Sequence, residues 1–516
     1  MRLRGWLFVL CAAACDRDAA PPSAPVTSRL FTEELALPSE QALLAQIDDA
    51  LEKKRRADVD RALDALEPGE QLEHARLTQL ALDRQIFTLD DLFRVGDDLF
   101  AYQFRPENGL GNGLAGHPLA GPYPAPNLRR VQYGAFGGPD AMACAECHSL
   151  GGDDGAGTRT QNTFFRGDGD RTLAADERNP PAVLGTGPVE RLAAEMSCEL
   201  AAQRASAIAA AMTAGAPVSM PLVAKGLSFG TLVARADGSV DASGVTGVAA
   251  DLIVRPFGWK GHQATVRGIV KEGFRVHMGL VPLVEQHAVR DGLVPAGTYG
   301  DGPWYDVDED GKTIEVEDGM ISTMVAYLAQ LEVPVVAPPS DPALRDAFAR
   351  GRDVFARVQC GGCHTPTLQL ADPLLVTRPE QSENAASPSI TVDVARDGLT
   401  PKIEPIGLAD APFGVQLFSD LRRHDLGPAL ASAAAQPSEG GAIAPTQWLT
   451  RPLWGLADTA PYLHDGRAST IDEAILLHGG EAQASRDAFA ALPDEERAAL
   501  RVYLMSLRRT PKLVAP

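Results

Sequence analysis

The chain has 516 residues, a hydrophobic content of 45% and a formal net charge of -21, from 68 acidic against 47 basic residues. This length predicts two or three domains, and the composition is typical of a soluble globular protein. The acidic balance argues against nucleic acid as a partner, because nucleic-acid phosphates bind basic surfaces. It would suit a basic protein partner.

The N-terminus has the pattern of an export signal. Two arginines precede a short apolar run over residues 6–14, which ends at Cys15. A membrane-spanning helix needs about 20 apolar residues, so we predict a signal peptide over residues 1–15 and a periplasmic location. Cys15 also follows a sequence that resembles a lipoprotein cleavage site, although Ala12 stands where such sites usually carry Leu. A lipid anchor at Cys15 and plain secretion therefore both remain open.

Composition and periodicity divide the rest of the chain into four segments. Residues 16–38, rich in Pro, Ala and Ser, predict a linker, and the helical spacing of apolar residues over 39–86 predicts a helical extension. We place an N-terminal domain at 87–335 and a C-terminal domain at 341–510. The boundary is the segment 335–340, which contains two consecutive prolines.

The apolar patterns within these domains are mostly helical. They predict helices over 89–100, 179–199, 201–215, 265–277, 319–331 and 494–508. One small β-hairpin is expected between Leu227 and Val254, where turn-forming Asp-Gly and Ser-Gly pairs interrupt short apolar runs. Asp341 followed by Pro342 predicts the start of a helix that leads towards Cys360. The predicted fold class is mainly α.

The pattern CxxCH occurs twice in the chain. Its members are Cys144, Cys147 and His148 in the first copy, and Cys360, Cys363 and His364 in the second. Two thiols at this spacing can bind the vinyl groups of one porphyrin, while the adjacent imidazole ligates the iron. A zinc ribbon would need the two CxxC pairs much closer together, and a thioredoxin-like site would need a βαβ pattern. We therefore predict two covalently attached haem c groups, with His148 and His364 as iron ligands.

A further histidine follows the second motif at the end of a predicted helix. Thr470 and Glu473 have the spacing of a capping box, so a helix should begin there and run to His478. His478 is thus a candidate for the opposite face of the C-terminal haem. The other interpretation is a surface histidine stabilised by the helix dipole.

Four stretches of the sequence are distinctive: NPPAVLG at 179–185, Asp420-Leu421 with His424-Asp425, TRPLW at 450–454 and, most specific, the HDGR to HGGEA stretch over 464–482. They resemble the bacterial di-haem cytochrome c peroxidase and MauG superfamily, and its di-haem oxidoreductase (thiol oxidoreductase-like) branch in particular. The resemblance extends over about residues 87–510. It implies two fused cytochrome c-like domains with long loops.

The resemblance also implies roles for individual residues. His478 lies fourteen positions after His464, where the superfamily places the distal ligand of the C-terminal haem. His464 would then lie beside that haem, and Met505 is the alternative ligand. Trp259 matches a tryptophan that lies between the two haems and is thought to pass electrons, although it could simply be a core aromatic.

The sequence departs from the peroxidases around the N-terminal haem. Ile269 and His277 stand where the peroxidases carry the Gln and Glu that serve peroxide cleavage, and Met278 with its following Gly is retained. In one hypothesis His277 ligates this iron or acts over it as an acid-base group. In the other, His262 is the ligand and His277 is an ordinary histidine.

The resulting functional prediction is an exported, peroxidase-like di-haem oxidoreductase. Electrons from a protein donor, a small cytochrome or a cupredoxin, would enter at the C-terminal haem and pass to peroxide at the N-terminal haem. A calcium ion between the domains is also implied, but the sequence assigns it no ligands. The alternatives are a MauG-like oxidase that uses oxygen or modifies protein, and a non-enzymatic electron carrier or redox sensor.

Overall fold

The structure, a computed structural model, describes residues 38–111, 131–133, 140–148, 162–167, 171–295, 297–300, 302–380, 387–407 and 411–509. The predicted signal peptide, the lipidation candidate Cys15 and nearly all of the predicted linker lie outside these residues. Within them, no helix combines the length and apolar character needed to cross a membrane.

Helices form most of the regular structure. They are α1 (Pro38–Asp64), α2 (Gln79–Asp83), α3 (Leu89–Ala101), α4 (Cys144–Cys147), α5 (Thr186–Ala214), α6 (Val266–Gly273), α7 (Leu283–Arg290), α8 (Asp318–Gln330), α9 (Pro342–Arg357), α10 (Ile471–Leu476), α11 (Gln483–Ala490) and α12 (Asp494–Leu504). The predicted helix-rich class is therefore confirmed. The assignment of two cytochrome c-like domains stays a prediction.

The strands are short. They are β1 (Gln71–Glu73), β2 (Arg76–Leu77), β3 (Val131–Tyr133), β4 (Thr163–Gly167), β5 (Asp176–Arg178), β6 (Val218–Ala224), β7 (Leu227–Ala234), β8 (Val240–Asp241), β9 (Val335–Val336), β10 (Leu368–Leu370), β11 (Leu374–Thr377), β12 (Ile390–Asp393), β13 (Glu404–Pro405), β14 (Phe413–Val415), β15 (Arg423–Asp425), β16 (Gln447–Leu449) and β17 (Leu507–Arg508). They pair as β1-β2, β3-β4-β5, β6-β7-β8, β9-β17, β10-β14-β13, β11-β12 and β15-β16. The described residues thus contain more strand pairs than the one hairpin that the sequence predicted.

The predicted hairpin is present but begins earlier in the chain. β6 and β7 pair antiparallel, with Ala224 opposite Leu227, and β8 adds a third strand. Lys225 and Gly226 form the tight turn, both at positive φ, as hairpin turns require. The two helices expected over 179–215 are one continuous helix, α5, because no helix breaker separates them.

Helix α8 lies at the centre of the N-terminal half. Every one of its residues is buried, as expected for a helix that is apolar on all sides. Helix α3 packs closely against it, since a Cβ added at Gly96 would lie 2.3 Å from Cβ of Tyr327. The capping box of Thr88 and Asp91 starts α3. The apolar stripe of α3 therefore faces α8, and α3 leads towards the first CxxCH motif.

In the C-terminal half, α9 and α12 cross. Asp341 caps α9 by accepting a hydrogen bond from the backbone N–H of Ala343, with Pro342 at the first helical position, as predicted. The rings of Phe355 and Tyr503 meet at 5.6 Å between centroids. This crossing fixes the end of α9, three residues before Cys360.

The two halves share part of their packing. Leu368, Leu375 and Val415 belong to the same buried cluster as α8, while a second cluster surrounds Phe355 and Tyr503. Strand β9, at the predicted domain boundary, pairs with β17 near the end of the described chain. The proposed division at residues 335–341 therefore remains a prediction about folding units.

Candidate functional site

One large cavity connects the two CxxCH motifs. Its volume is about 1330 Å³, and both sets of motif cysteines and histidines line it. Pockets for single drug-sized ligands usually measure about 300–1,000 Å³. The cavity is thus large enough for more than one such group.

The second motif forms a tight turn directly after α9. The backbone N–H of His364 donates to the carbonyl of Cys360 at 2.9 Å, so the turn brings the cysteine and the imidazole to one side. Nδ1 of His364 donates to the carbonyl of Phe418 at 3.1 Å. Burial, with a contribution from the nearby His478, lowers the pKa of His364 to about 4. The ring is therefore neutral, and its Nε2 keeps a lone pair.

His478 lines the same cavity and has the same hydrogen-bond arrangement as His364. The Thr470–Glu473 capping box is present and starts α10, and the chain reaches His478 two residues after this helix ends. Nδ1 of His478 donates to the carbonyl of Ala474 at 2.8 Å, and burial lowers the pKa of the ring. Two neutral imidazoles with free Nε2 atoms are the donor set that an iron porphyrin takes as axial ligands. His364 and His478 therefore fit a haem bound at this motif.

The first motif forms the short helix α4. The backbone N–H of His148 donates to the carbonyl of Cys144 at 3.1 Å, and burial raises the pKa of the Cys144 thiol to about 12. The ring of Phe100, from α3, lies 6.3 Å from the ring of His148. Because α3 is held against α8, the motif is anchored to the centre of the N-terminal half.

His277 lies in a π-helical turn that follows α6. The turn spans Phe274–Met278, and such turns are frequent at functional sites. Nδ1 of His277 lies 3.1 Å from the carboxylate of Asp140. The carbonyl of His277 accepts the backbone N–H groups of Asp140 and Ala141 at 2.8 and 3.2 Å. His277 is thus tied to the segment that enters the first motif, and it also lines the cavity.

The carboxylate controls the charge of His277. Although burial lowers its pKa, the negative charge and hydrogen bond of Asp140 raise the pKa of His277 above its ordinary value. Because Nδ1 faces Asp140, Nε2 is the ring atom left to act as a ligand or to exchange a proton. The arrangement thus leaves both roles predicted for His277 open.

A second histidine–carboxylate pair lines the same part of the cavity. Nε2 of His262 lies 2.8 Å from the carboxylate of Glu272, and the buried Nδ1 of His262 has no hydrogen-bond partner among the described residues. Burial works to raise the pKa of Glu272, but the interaction with His262, the hydrogen bond from Gln263 and the charge of Arg275 together outweigh it and lower that pKa to about 2. The sequence analysis missed Glu272, although it lies one helical turn after Ile269 on a predicted helix.

Trp259 also lines the cavity and contacts both halves of the chain. Its indole Nε1 donates to the carbonyl of Asn179 at 2.7 Å, and the backbone N–H of Asn179 donates to the carbonyl of His464 at 2.7 Å. The His464 ring stacks on Trp448 at 3.9 Å, and burial lowers its pKa to about 3. A neutral, buried His464 is therefore connected to Trp259 through one residue.

A third buried histidine, His424, lies beside the second motif. Its two ring nitrogens lie 2.8 Å from the carboxylates of Asp420 and Glu481. Burial opposes its charge, but the hydrogen bonds that His424 donates to Asp420 and Cys363 raise its pKa to about 11. The sequence analysis assigned this residue no role, because its two carboxylate partners become visible only in the fold.

The alternative ligand Met505 can be set aside. It is 46% exposed and is absent from the cavity lining, so it neither packs in the core nor faces the second motif. Every other residue predicted for the site lines the cavity. Their roles towards haem stay predictions.

The comparison with protein families supports the resemblance found in the sequence. Residues 385–507 match the family described as "Di-haem oxidoreductase, putative peroxidase". Over this C-terminal part of the chain, the match confirms the resemblance to the di-haem oxidoreductase branch that was recognised in the sequence. No curated protein matches the chain.

Two solved structures show distant similarity. A hydrazine synthase of Kuenenia stuttgartiensis is 18% identical with a TM-score of 0.21, and the alignment covers 36% of this chain and 55% of that chain. A MauG-like protein associated with microbial copper homeostasis is 14% identical with a TM-score of 0.26, and the alignment covers 54% of this chain and 78% of that chain. The present chain thus spans about half the length of the hydrazine synthase chain.

Proposed function

We propose that this protein is an exported di-haem c oxidoreductase that reduces peroxide with electrons from a protein donor. The observation that carries the proposal is the single cavity of about 1330 Å³ that both CxxCH motifs line. Near the second motif, the cavity is lined by the neutral imidazoles of His364 and His478 and by the carboxylate-paired His424. Near the segment that enters the first motif lie two further histidine–carboxylate pairs, His277 with Asp140 and His262 with Glu272.

Haem bound at each motif would supply the redox-active iron. At the C-terminal motif, the neutral imidazoles of His364 and His478 would both hold the iron, so a substrate would not bind to it there. This end would therefore receive and pass on electrons. With its net charge of -21, the chain would favour a basic donor such as a small cytochrome or a cupredoxin.

The N-terminal end has the groups that peroxide reduction requires. Hydrogen peroxide takes up two electrons and two protons and yields two water molecules. Nε2 of His277 can take and return a proton at the cavity wall, while Asp140 holds the ring through Nδ1 and stabilises its protonated form. His262 and Glu272 form a second proton-exchanging pair. His277 would thus replace the Glu that the peroxidases use.

Trp259 gives the electrons a route between the two ends. It lines the shared cavity, and its indole N–H is held by the carbonyl of Asn179. The guanidinium of Arg451 lies 5.7 Å from the centre of the Trp259 ring. These contacts hold the indole in one orientation, as a residue that relays electrons needs.

The test combines spectroscopy and turnover of the holoprotein. The pyridine haemochrome spectrum should show two c-type haems that remain attached after denaturation. Turnover of hydrogen peroxide with a reduced small cytochrome should fall by roughly 10²–10⁴-fold in His277→Ala, the usual contribution of a proton-transferring side chain. In His478→Ala, low-temperature EPR should lose the low-spin signal of the C-terminal haem.

His287→Ala is the matched control. His287 lies on α7 outside the cavity lining, so this variant should keep wild-type turnover and spectra. If the wild-type protein shows two wholly low-spin haems that bind neither cyanide nor peroxide, it is an electron carrier or sensor and the enzymatic proposal is wrong. If it reacts with oxygen or modifies a protein but does not turn over peroxide with the cytochrome donor, the MauG-like alternative replaces it.

A further inference from the structure

A loop between α7 and α8 gathers acidic side chains away from the haem cavity. Carboxylate oxygens of Asp306, Asp308 and Asp310 all lie within 4.8 Å of one another. The three residues alternate along the chain and precede Gly311, with Glu317 six positions after this glycine. This spacing is that of a calcium-binding EF-hand loop, a signal that the sequence analysis overlooked.

Two carboxylates at this loop are buried without sufficient partners. Asp308 is 3% exposed, and Glu315 is 0% exposed. Neither oxygen of Asp308 has a hydrogen-bond partner among the described residues, and the same holds for Oε1 of Glu315. Buried polar groups in native proteins are nearly always paired, and buried charges are paired or bind metal ions.

The negative charges of the loop add electrostatic repulsion to the missing hydrogen bonds. Asp306, Asp308, Asp310 and Glu315 place four carboxylates in a stretch of ten residues, and carboxylates this close repel one another when they are ionised. The buried guanidinium of Arg76 donates to the backbone carbonyl of Glu315 at 3.0 Å. A positive charge at the centre of the loop would remove this repulsion.

We propose that this loop binds one Ca²⁺ ion through the carboxylates of Asp306, Asp308, Asp310 and Glu315. All four donors are oxygen atoms, without nitrogen or sulfur, and flexible all-oxygen sites favour Ca²⁺ over transition metals. Asp306 already shapes the loop by accepting the backbone N–H groups of Asp310 and Gly311 at 3.1 and 3.2 Å.

The fold departs from the EF-hand pattern in one respect. Glu317 has the position of the last EF-hand ligand, but its Oε2 accepts the backbone N–H of Gln79 at 3.1 Å. Glu315, two residues earlier, keeps its Oε1 without a hydrogen-bond partner among the described residues, so it is the carboxylate left available to the loop. Its other oxygen, Oε2, accepts the backbone N–H of Val281 at 2.8 Å, so the ion would also brace the segment that follows His277. The site is within the N-terminal half and does not rest on the proposed redox function.

The test is calcium titration of the purified holoprotein after treatment with a chelator. Isothermal titration calorimetry should show one more bound Ca²⁺ per chain in the wild type than in Asp308→Asn. Glu315→Gln should weaken binding at this loop by at least about 100-fold, because affinity depends on the number of charged ligands. Glu317→Gln, two residues away but directed towards Gln79, is the matched control and should keep wild-type binding. Mg²⁺ titrated in place of Ca²⁺ should bind more weakly.

Thermal unfolding gives a second, independent readout. At a Ca²⁺ concentration about 100 times Kd, the wild-type Tm should rise by roughly 5–10 °C, whereas Asp308→Asn should show no such rise. When a chelator removes Ca²⁺, the order of the two Tm values should reverse. Asp308→Asn should then be at least as stable as the wild type, because the variant lacks the buried unpaired charge. The proposal would be overturned if the wild type and Asp308→Asn bound the same number of Ca²⁺ ions, or if the wild-type Tm did not change when Ca²⁺ was added. The buried acids would then simply share a proton.

Discussion

Replacing Gly351 by Ala should destabilise the C-terminal half, although Ala is the better helix former. Gly351 lies on α9 where this helix crosses α12. A Cβ at this position would lie 2.0 Å from the carbonyl oxygen of Ala499 and 2.8 Å from Cβ of Tyr503. Backbone atoms cannot rotate away as a side-chain end can. The two helices must therefore move apart to accept the methyl group.

The magnitude follows from the size of this movement. Real Cβ atoms almost never approach a neighbour within 3.0 Å, so the helices must separate by at least about 1 Å. A gap of this size loses roughly a quarter to a half of each dispersion contact across the crossing. Overpacking of this kind usually costs about 1–3 kcal/mol, whereas the helix propensity of Ala returns only about 1 kcal/mol. We expect a net loss of about 1 kcal/mol.

Urea unfolding of the holoprotein, followed by far-UV circular dichroism, would measure the change. Ala349→Gly, on an exposed position of α9, is the matched control and should cost about 1 kcal/mol through helix propensity alone. The reasoning predicts that both variants are less stable than the wild type. A Gly351→Ala protein that is more stable than the wild type would refute it, because propensity would then outweigh the crossing.

Two predictions concern the cavity. Since Asp140 raises the pKa of His277, Asp140→Asn should move the acid limb of the kcat/KM profile to lower pH, because the proton acceptor then stays neutral to lower pH. The same pKa shift affects stability: the stabilisation from the His277–Asp140 pair is fully present below the unfolded pKa of about 6.5 and is lost as pH rises through the folded pKa. The stability difference between wild type and Asp140→Asn should therefore shrink towards high pH. An unchanged acid limb of the kcat/KM profile would exclude His277 as the titrating group. Trp259→Phe should cost about 1–2 kcal/mol through the unpaired carbonyl of Asn179 and should slow electron transfer between the haems in stopped-flow absorbance, whereas a stability loss with unchanged transfer would leave Trp259 a core aromatic.

The sequence was sufficient for features that depend on neighbouring residues. The CxxCH turns, the Asp341–Pro342 start of α9 and the Thr470–Glu473 capping box all arise from hydrogen bonds within four residues. Apolar spacing likewise predicted α3, α8 and α12, since a helix with one buried face repeats every three to four residues. His478 could be singled out because its position depends on the helix that precedes it.

Local patterns were less informative where strands and helix ends depend on distant partners. β9 forms because β17 returns to it from near the end of the chain, and short strands of this kind have too few residues to show a period. The helix expected over 265–277 changes to a π-helical turn before His277. The backbone carbonyl of His277 accepts hydrogen bonds from the N–H groups of Asp140 and Ala141, which precede it by more than a hundred residues.

The charge of each site residue was decided by the tertiary structure. His277 meets Asp140 across 137 residues, and a pKa depends on burial and on charges within a few ångströms, irrespective of separation along the chain. The acidic loop shows what the sequence determines and what only the fold decides. Its Asp-x-Asp-x-Asp-Gly pattern is visible in the sequence, but only the fold selects Glu315 over Glu317, because Glu317 is already bound to the backbone of Gln79.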